Sequence, residues 1–333
     1  MNTEHLNLLC EQMGLGSSCN PVTRIYGGLL HTMWRLDTDK GSYAIKQLSK
    51  DIDLQNAQII RNYELSERIA SRFVAQGIPG VCAITQSGKH LFMIDGSGFL
   101  VYPWVNAKAL DGHAVSEHHA LKIATILSKM HCLNLDEPEI TKPEFYTHTD
   151  QKILELLDKA ENFNCPFATD LRKNQKNILA ANESYQKAIS ILKTHNIVSH
   201  GDLDQKNVLW DSSNNPILID WESACKINPT HDIINTAFYW SGITSNFDTA
   251  LFFKMIDAYQ KAGGIINKKH VVAAIDGTFS WIGWLVYNIE RSCVSDDSDH
   301  KAIGIEQVNQ TLATILRLQT VMPEVIKIIK GKS

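Results

Sequence analysis

The chain has 333 residues, 44% hydrophobic and 20% charged, with a formal net charge of −4. That length allows two lobes with ample cores, and the composition is that of a folded globular protein rather than a disordered or fibrous one. The mildly acidic balance lacks the basic footprint of a nucleic-acid binder and would not hinder a cationic substrate.

The seven cysteines are scattered and odd in number, and none forms a Cys-x-x-Cys pair. This argues against a disulfide framework or a zinc site and fits a reducing cytoplasm. No run approaches the ~20 apolar residues of a membrane span. The N-terminus lacks the basic-then-apolar order of a secretion signal. The expectation is a cytoplasmic protein with no membrane partner.

In chain order, residues 3–13 read as a short amphipathic helix with Leu6, Leu9 and Met13 on one side. Residues 22–26 and 33–36 read as two strands around a loop holding Gly27 and Gly28, and 43–46 as a third after a turn at 39–41. A glycine-paired loop between antiparallel strands can lay backbone N–H groups over phosphates, and the hydroxyl of Thr32 can assist. Lys46 ends the apolar strand Tyr43-Ala-Ile-Lys46, where a cation suits the α and β phosphates. Residues 54–76 read as a helix carrying Glu64 and Glu67 on roughly one face, and either could hold the lysine. Three further strands are expected at 81–84, 91–94 and 99–101, giving five or six antiparallel strands and one long helix. Helices follow at 116–131, 150–160 and 168–195.

The centre of the chain is the run 198–222. Val208–Trp210 and Ile217–Ile219 read as strands joined by a turn at 212–216. Such a hairpin would hold Asp202 and Asn207 near its start and Asp220 at its end. Phosphoryl transfer needs a carboxylate to orient the attacking hydroxyl, which suits Asp202. It also needs oxygen ligands for magnesium bridging the phosphates, which suits Asn207 and Asp220. Helices at 233–240, 247–262, 269–292 and 304–330 complete the pattern. Trp281, Trp284, Asn288 and Arg291 recur at helical spacing, as a core face or as a wall for a cationic acceptor. The polar run 295–300 reads as an exposed loop.

His200-Gly-Asp202-Leu, Asn207-Val-Leu and Ile219-Asp-Trp-Glu222 together resemble the aminoglycoside phosphotransferase and choline kinase superfamily. The resemblance implies a two-lobed α+β, protein-kinase-like fold, with a small antiparallel-sheet N-terminal lobe (1–102), a hinge (103–106) and a larger, mainly helical C-terminal lobe (107–333). It also implies ATP and Mg2+ in the cleft and phosphate transfer to a small-molecule alcohol. By this resemblance Glu67, twelve residues before Pro79, is preferred over Glu64 as the partner of Lys46. The Pro103 carbonyl and the Val105 N–H would meet the adenine edge, because proline can only accept. Asp232 would cap or brace the catalytic loop, and His131 would be structural. Two departures stand out: His31, where relatives often carry Asn, and Asp204, where many carry a basic residue or His. Lys206 could offset the second.

A protein kinase of the same superfamily and a non-catalytic nucleotide-binding protein are the alternatives. Trp221-Glu222 in place of Phe-Gly, and no evident Ala-Pro-Glu, argue against the first. The joint presence of Lys46, Asp202, Asn207 and Asp220 argues against the second.

Overall fold

A computed structural model describes residues 3–25, 30–110, 114–140, 145–295 and 297–331. The chain divides into two compact units, Met1–Leu110 with Lys206–Ala224 and Asp111–Gln205 with Cys225–Ser333.

The first unit contains α1 (Thr3–Met13), β1 (Thr23–Ile25), β2 (Thr32–Thr38), β3 (Gly41–Gln47), α2 (Ala57–Ala75), β4 (Phe92–Ile94) and β5 (Ser97–Pro103). The strands form an antiparallel sheet in the order β1-β2-β3-β5-β4. Period-two alternation sorts side chains onto two faces. Ile45, Phe99 and Val101 join Leu6, Leu9 and Met13 of α1 in one core. Leu100 and Tyr102 join Leu48, Leu54 and Leu91 in another, against Ile60 and Tyr63 of α2. Lys46 lies opposite Leu100 in the register, so the strand that buries Ile45 on the α1 side turns Lys46 to the α2 side. Asn56 caps α2 by accepting from the Gln58 N–H, a cap of about 1 kcal/mol. After β6 (Ala107–Ala109), and after β7 (Ile197–Ser199) of the second unit, come β8 (Val208–Asp211) and β9 (Pro216–Leu218). They form a second antiparallel sheet, β6-β8-β9.

The strand expected at 81–84 is absent. Its N–H groups go to three different acceptors: Val81 to the Leu218 carbonyl, Ala83 to the Glu67 carboxylate and Ile84 to the Val101 carbonyl. A ladder needs one neighbouring strand, so this apolar run stays irregular.

The second unit is helical: α3 (Glu117–Leu133), α4 (Asp150–Asn162), α5 (Ala168–Lys173), α6 (Gln175–Leu192), α7 (Pro229–Trp240), α8 (Thr249–Lys261), α9 (Val271–Asp276), α10 (Trp281–Val294) and α11 (Ser298–Gly331). Strand β7 pairs with β10 (Cys225–Ile227) in antiparallel register. The helix expected over 168–195 is broken at Asn174, whose side-chain amide bonds the Asp170 carbonyl. The helix expected over 269–292 is interrupted by a 3₁₀ turn at Gly277–Ser280. The last helix starts earlier than expected, because the Asp297 carboxylate accepts from the N–H groups of Asp299 and His300.

Candidate active site

In the first unit Lys46 is buried, and its ammonium donates to Asp220 Oδ1 and to Glu222 Oε2, both at 2.6 Å. Burial alone would push the ammonium down, but the two carboxylates outweigh it and raise it above the ordinary lysine range. Glu222 Oε2 also accepts from His31 Nε2 at 3.0 Å. The tautomer follows from the other ring nitrogen: Ser49 N–H donates to His31 Nδ1 at 3.1 Å, so the ring proton is on Nε2. Burial pushes the Glu222 carboxyl up, yet His31 and Lys46 together bring it down to about 2. One ammonium against two carboxylates leaves the cluster negative, which suits a divalent cation.

Local packing explains how Glu222 reaches Lys46. Asp220 stands in the left-handed region (φ 62°, ψ 61°) and opens the 3₁₀ turn Trp221–Ser223, a strained backbone of the kind found at functional sites. The Trp221 indole is buried and stacks on Phe73 of α2, with ring centroids 5.7 Å apart. Gly80 permits this, since a Cβ there would lie 3.1 Å from the indole. The Ile219 N–H donates to the Asn207 carbonyl at 3.0 Å, tying the chain at Asn207 to the residue before Asp220. An amide oxygen from Asn207 and a carboxylate from Asp220 are hard oxygen donors. They match what magnesium takes from a protein when substrate phosphates supply further ligands.

Glu67 does not bond Lys46, contrary to expectation. Its carboxylate accepts from the Ala83 N–H at 2.7 Å and the Tyr102 hydroxyl at 2.6 Å, and it senses Lys46 only as a nearby charge. The reason is burial. With Glu67 enclosed under the sheet, two neutral donors in reach satisfy it, while its pKa is raised by desolvation. Glu64 is not the partner either, because it accepts from the N–H groups of His90 and Leu91 and meets the His90 ring. Glu67→Leu would leave the Ala83 and Tyr102 donors without their acceptor. It is expected to destabilise by about 1–3 kcal/mol per orphaned donor, read as a lower urea midpoint. An unchanged midpoint would reject this role.

Of the remaining expected nucleotide contacts, Thr32 opens β2 half-buried, opposite Gln47. Gly27 and Gly28 lie outside the described residues. Pro103 ends β5 opposite Tyr43 and is exposed, and Val105 is half-buried two residues on. The Trp104 N–H donates to Ser42, and its indole lies under the Arg35 guanidinium at 4.4 Å.

Asp202 belongs to the second unit. Strand β7 ends at Ser199, His200 is fully buried, and Gly201 turns the chain at φ 80°, a left-handed value that favours glycine. The loop is then clamped by the end of α7: Trp240 Nε1 donates to the Leu203 carbonyl at 2.9 Å, and Gln205 Nε2 donates to the Tyr239 carbonyl at 3.1 Å. Burial and the charges of Asp202 and Asp204 push the Tyr239 hydroxyl well up. The Tyr239 ring packs on Trp281, centroids 5.6 Å apart. The other repeating residues of α10 turn inward. Arg291 Nη2 donates to Asn288 at 2.6 Å beneath the Trp284–Tyr287 stack, and Trp284 Nε1 donates to Gln307 of α11.

Asp232 is buried in α7 and accepts from His131 Nε2 of α3 at 3.0 Å, while Tyr259 of α8 bonds His131 Nδ1 at 2.7 Å. Three helices thus share one buried polar chain. Sequence reasoning noted His31 only as a departure and Glu222 only within its motif, and gave neither a role beside Lys46. The one signal was a second acidic residue two positions after Asp220.

The chain matches the family model APH, described as the phosphotransferase enzyme family, over residues 21–266. None of the curated proteins matches it significantly. Among solved structures it is similar to a spectinomycin phosphotransferase in complex with ADP and spectinomycin, at 14% identity, 96% of this chain, 99% of that one and TM-score 0.66. It is similar to an ethanolamine kinase of Plasmodium vivax at 15% identity, 93% of this chain, 89% of that one and TM-score 0.58. It is also similar to the choline kinase LicA of Streptococcus pneumoniae at 16% identity, 94% of this chain, 100% of that one and TM-score 0.56. At such identities the likeness is one of fold: the two-lobed, kinase-like α+β fold expected from the sequence, with its antiparallel-sheet N-terminal region and mainly helical remainder. The family match spans β1–β5, the run 198–222 and helices α3–α8. With that span, the chain belongs to the phosphotransferase enzyme family.

Proposed function

We propose that the protein transfers the γ-phosphate of ATP, with Mg2+, to a hydroxyl of a small amino-alcohol or aminoglycoside-like acceptor. The observation that carries this reading is the buried Lys46–Asp220–Glu222 cluster, tied through Ile219 to Asn207. ATP would supply the phosphoryl group and magnesium the charge neutralisation at the transferring oxygens. Asn207 and Asp220 would hold the metal. Lys46 would bind phosphate oxygens, helped by the loop of Gly27 and Gly28 and by Thr32. Pro103 and Val105 would bind the adenine edge. In this reading 1–102 is the nucleotide-binding lobe, 103–106 the hinge and 107–333 the catalytic and acceptor-binding lobe.

Asp202 would orient the acceptor hydroxyl and take its proton. The bonds that clamp its loop through Leu203 and Gln205 would hold the carboxylate in place. The aromatic pair Tyr239–Trp281 next to the charges of Asp202 and Asp204 favours a cationic acceptor, because indole faces attract cations. Trp281→Ala is accordingly expected to raise the acceptor KM by about fivefold to thirtyfold, the scale of about 1–2 kcal/mol for a cation–π contact, with kcat largely kept. Equal KM in the variant would remove Trp281 from the acceptor site.

The test of the whole reading is magnesium-dependent ADP release across a panel of choline, ethanolamine, spectinomycin and kanamycin-type aminoglycosides. The expected result is turnover stimulated by one acceptor class. ATP binding with no stimulation by any alcohol, and phosphate transfer to protein substrates instead, would overturn it.

A further inference from the structure

We propose that Glu222, oriented by His31, is the carboxylate that positions Lys46 for the nucleotide's phosphates, so that His31 is a positioning residue for nucleotide binding. The inference rests on the nucleotide-dependent reading above.

The geometry carries it. A single oxygen, Glu222 Oε2, receives both the His31 N–H at 3.0 Å and the Lys46 ammonium at 2.6 Å. Ser49 N–H on the far ring nitrogen fixes the tautomer that donates toward Glu222. The imidazole therefore restrains the carboxylate, and the carboxylate restrains the ammonium. The Tyr63 ring packs edge-on against the imidazole and holds it from the α2 side. Stacking of Trp221 on Phe73 anchors the turn that carries Glu222. Both carboxylates of α2 near the lysine are engaged elsewhere, Glu67 with Ala83 and Tyr102, Glu64 with His90 and Leu91. An ammonium has three donors. Two go to Asp220 and Glu222, and the third is the one a phosphate oxygen would take. A residue 191 positions from Glu222 along the chain, in the connection before β2, thus bears on how Lys46 is presented.

The experiment measures binding of ADP and adenosine by calorimetry, in EDTA and with magnesium, for wild type, His31→Ala, His31→Gln, Glu222→Gln and the double variant His31→Ala/Glu222→Gln. Adenosine lacks the phosphates that Lys46 would hold, so the ADP-to-adenosine affinity ratio reads Lys46 and not general integrity. His31→Ala is expected to lower that ratio by about fivefold to tenfold in EDTA, the scale of one ordinary hydrogen bond. His31→Gln, which keeps a donor, is expected to restore it to within about twofold. If His31 acts through Glu222, its removal costs nothing further in the Glu222→Gln background. An unchanged ratio in His31→Ala, or an undiminished cost in the double variant, overturns the inference. A loss of ADP affinity in the variants seen only with magnesium would make Glu222 a metal contact and not the lysine's anchor, and also overturns it. Should His31→Ala fail to fold, His31→Leu carries the same comparison. A wild type that does not prefer ADP over adenosine would instead defeat the nucleotide reading itself.

Discussion

Asp202→Asn is expected to cut acceptor-stimulated turnover by about a thousandfold, within the range of about 10²–10⁴ for a general acid–base residue, while ADP affinity stays within about twofold of wild type. The amide is isosteric but cannot take the acceptor's proton, and it presents donors where the hydroxyl also donates. The loop should keep its shape. The Leu203 carbonyl and the Gln205 side chain both bond α7. The Lys46–Asp220–Glu222 cluster, proposed to bind the nucleotide, is held by the bonds of Lys46 to the two carboxylates. Parallel measurement of ADP release and ADP binding decides the matter. Equal turnover in the variant would remove Asp202 from its catalytic role, and joint loss of turnover and binding would make the residue structural.

Asp232→Ala is expected to destabilise the second unit by about 1–3 kcal/mol, the cost of leaving the buried His131 donor without its acceptor. Asp232 and His131 are both buried and Tyr259 is fully so. Tyr259 donates to His131 Nδ1, and His131 Nε2–H donates to Asp232. Truncating the acid leaves the imidazole donor without an acceptor in the middle of α3, α7 and α8. Urea unfolding followed by helical circular dichroism reads the loss, and a shift below about 1 kcal/mol would reject the bracing role.

The same group sets a pH dependence. Burial pushes the Asp232 carboxyl up, but His131 outweighs it and holds it below the usual carboxylate range. The unfolded chain therefore takes up this proton at higher pH than the folded one. The stability Asp232 contributes is present above the ordinary carboxylate pKa and is lost as pH falls below it. His231, kept neutral by burial, acts in the same direction, since its folded pKa is lowered and acid again favours the unfolded chain. Urea midpoints should fall as pH is lowered from 7 to 2, and below about pH 4 the fall should be shallower in Asp232→Ala. A steeper fall in the variant would contradict this account.

Much of the fold was legible locally. Strand β2, strand β3 and the β8–β9 hairpin follow from apolar runs and turn residues, and α2 from its apolar stripe. The spacing from Asp202 through Asn207 to Asp220 was equally legible, because it lies within one short run whose chemistry is set by residue type and order. Periodicity could not find the break at Asn174 or the 3₁₀ turn at 277–280, since both interruptions keep the apolar pattern going on either side.

The lysine's partners were another matter. Glu64 and Glu67 are near in sequence and on a plausible helix face, yet both satisfy themselves with N–H and O–H donors from 83, 90, 91 and 102. Asp220 and Glu222 lie 174 and 176 residues from Lys46, in a turn anchored by Trp221 stacking on Phe73. Sequence alone determined which chemical groups the chain carries and the strand and helix patterns that bear them. Only the tertiary structure decided which carboxylates face which cation, because competition among buried donors and acceptors is settled by packing in three dimensions and not by separation along the chain.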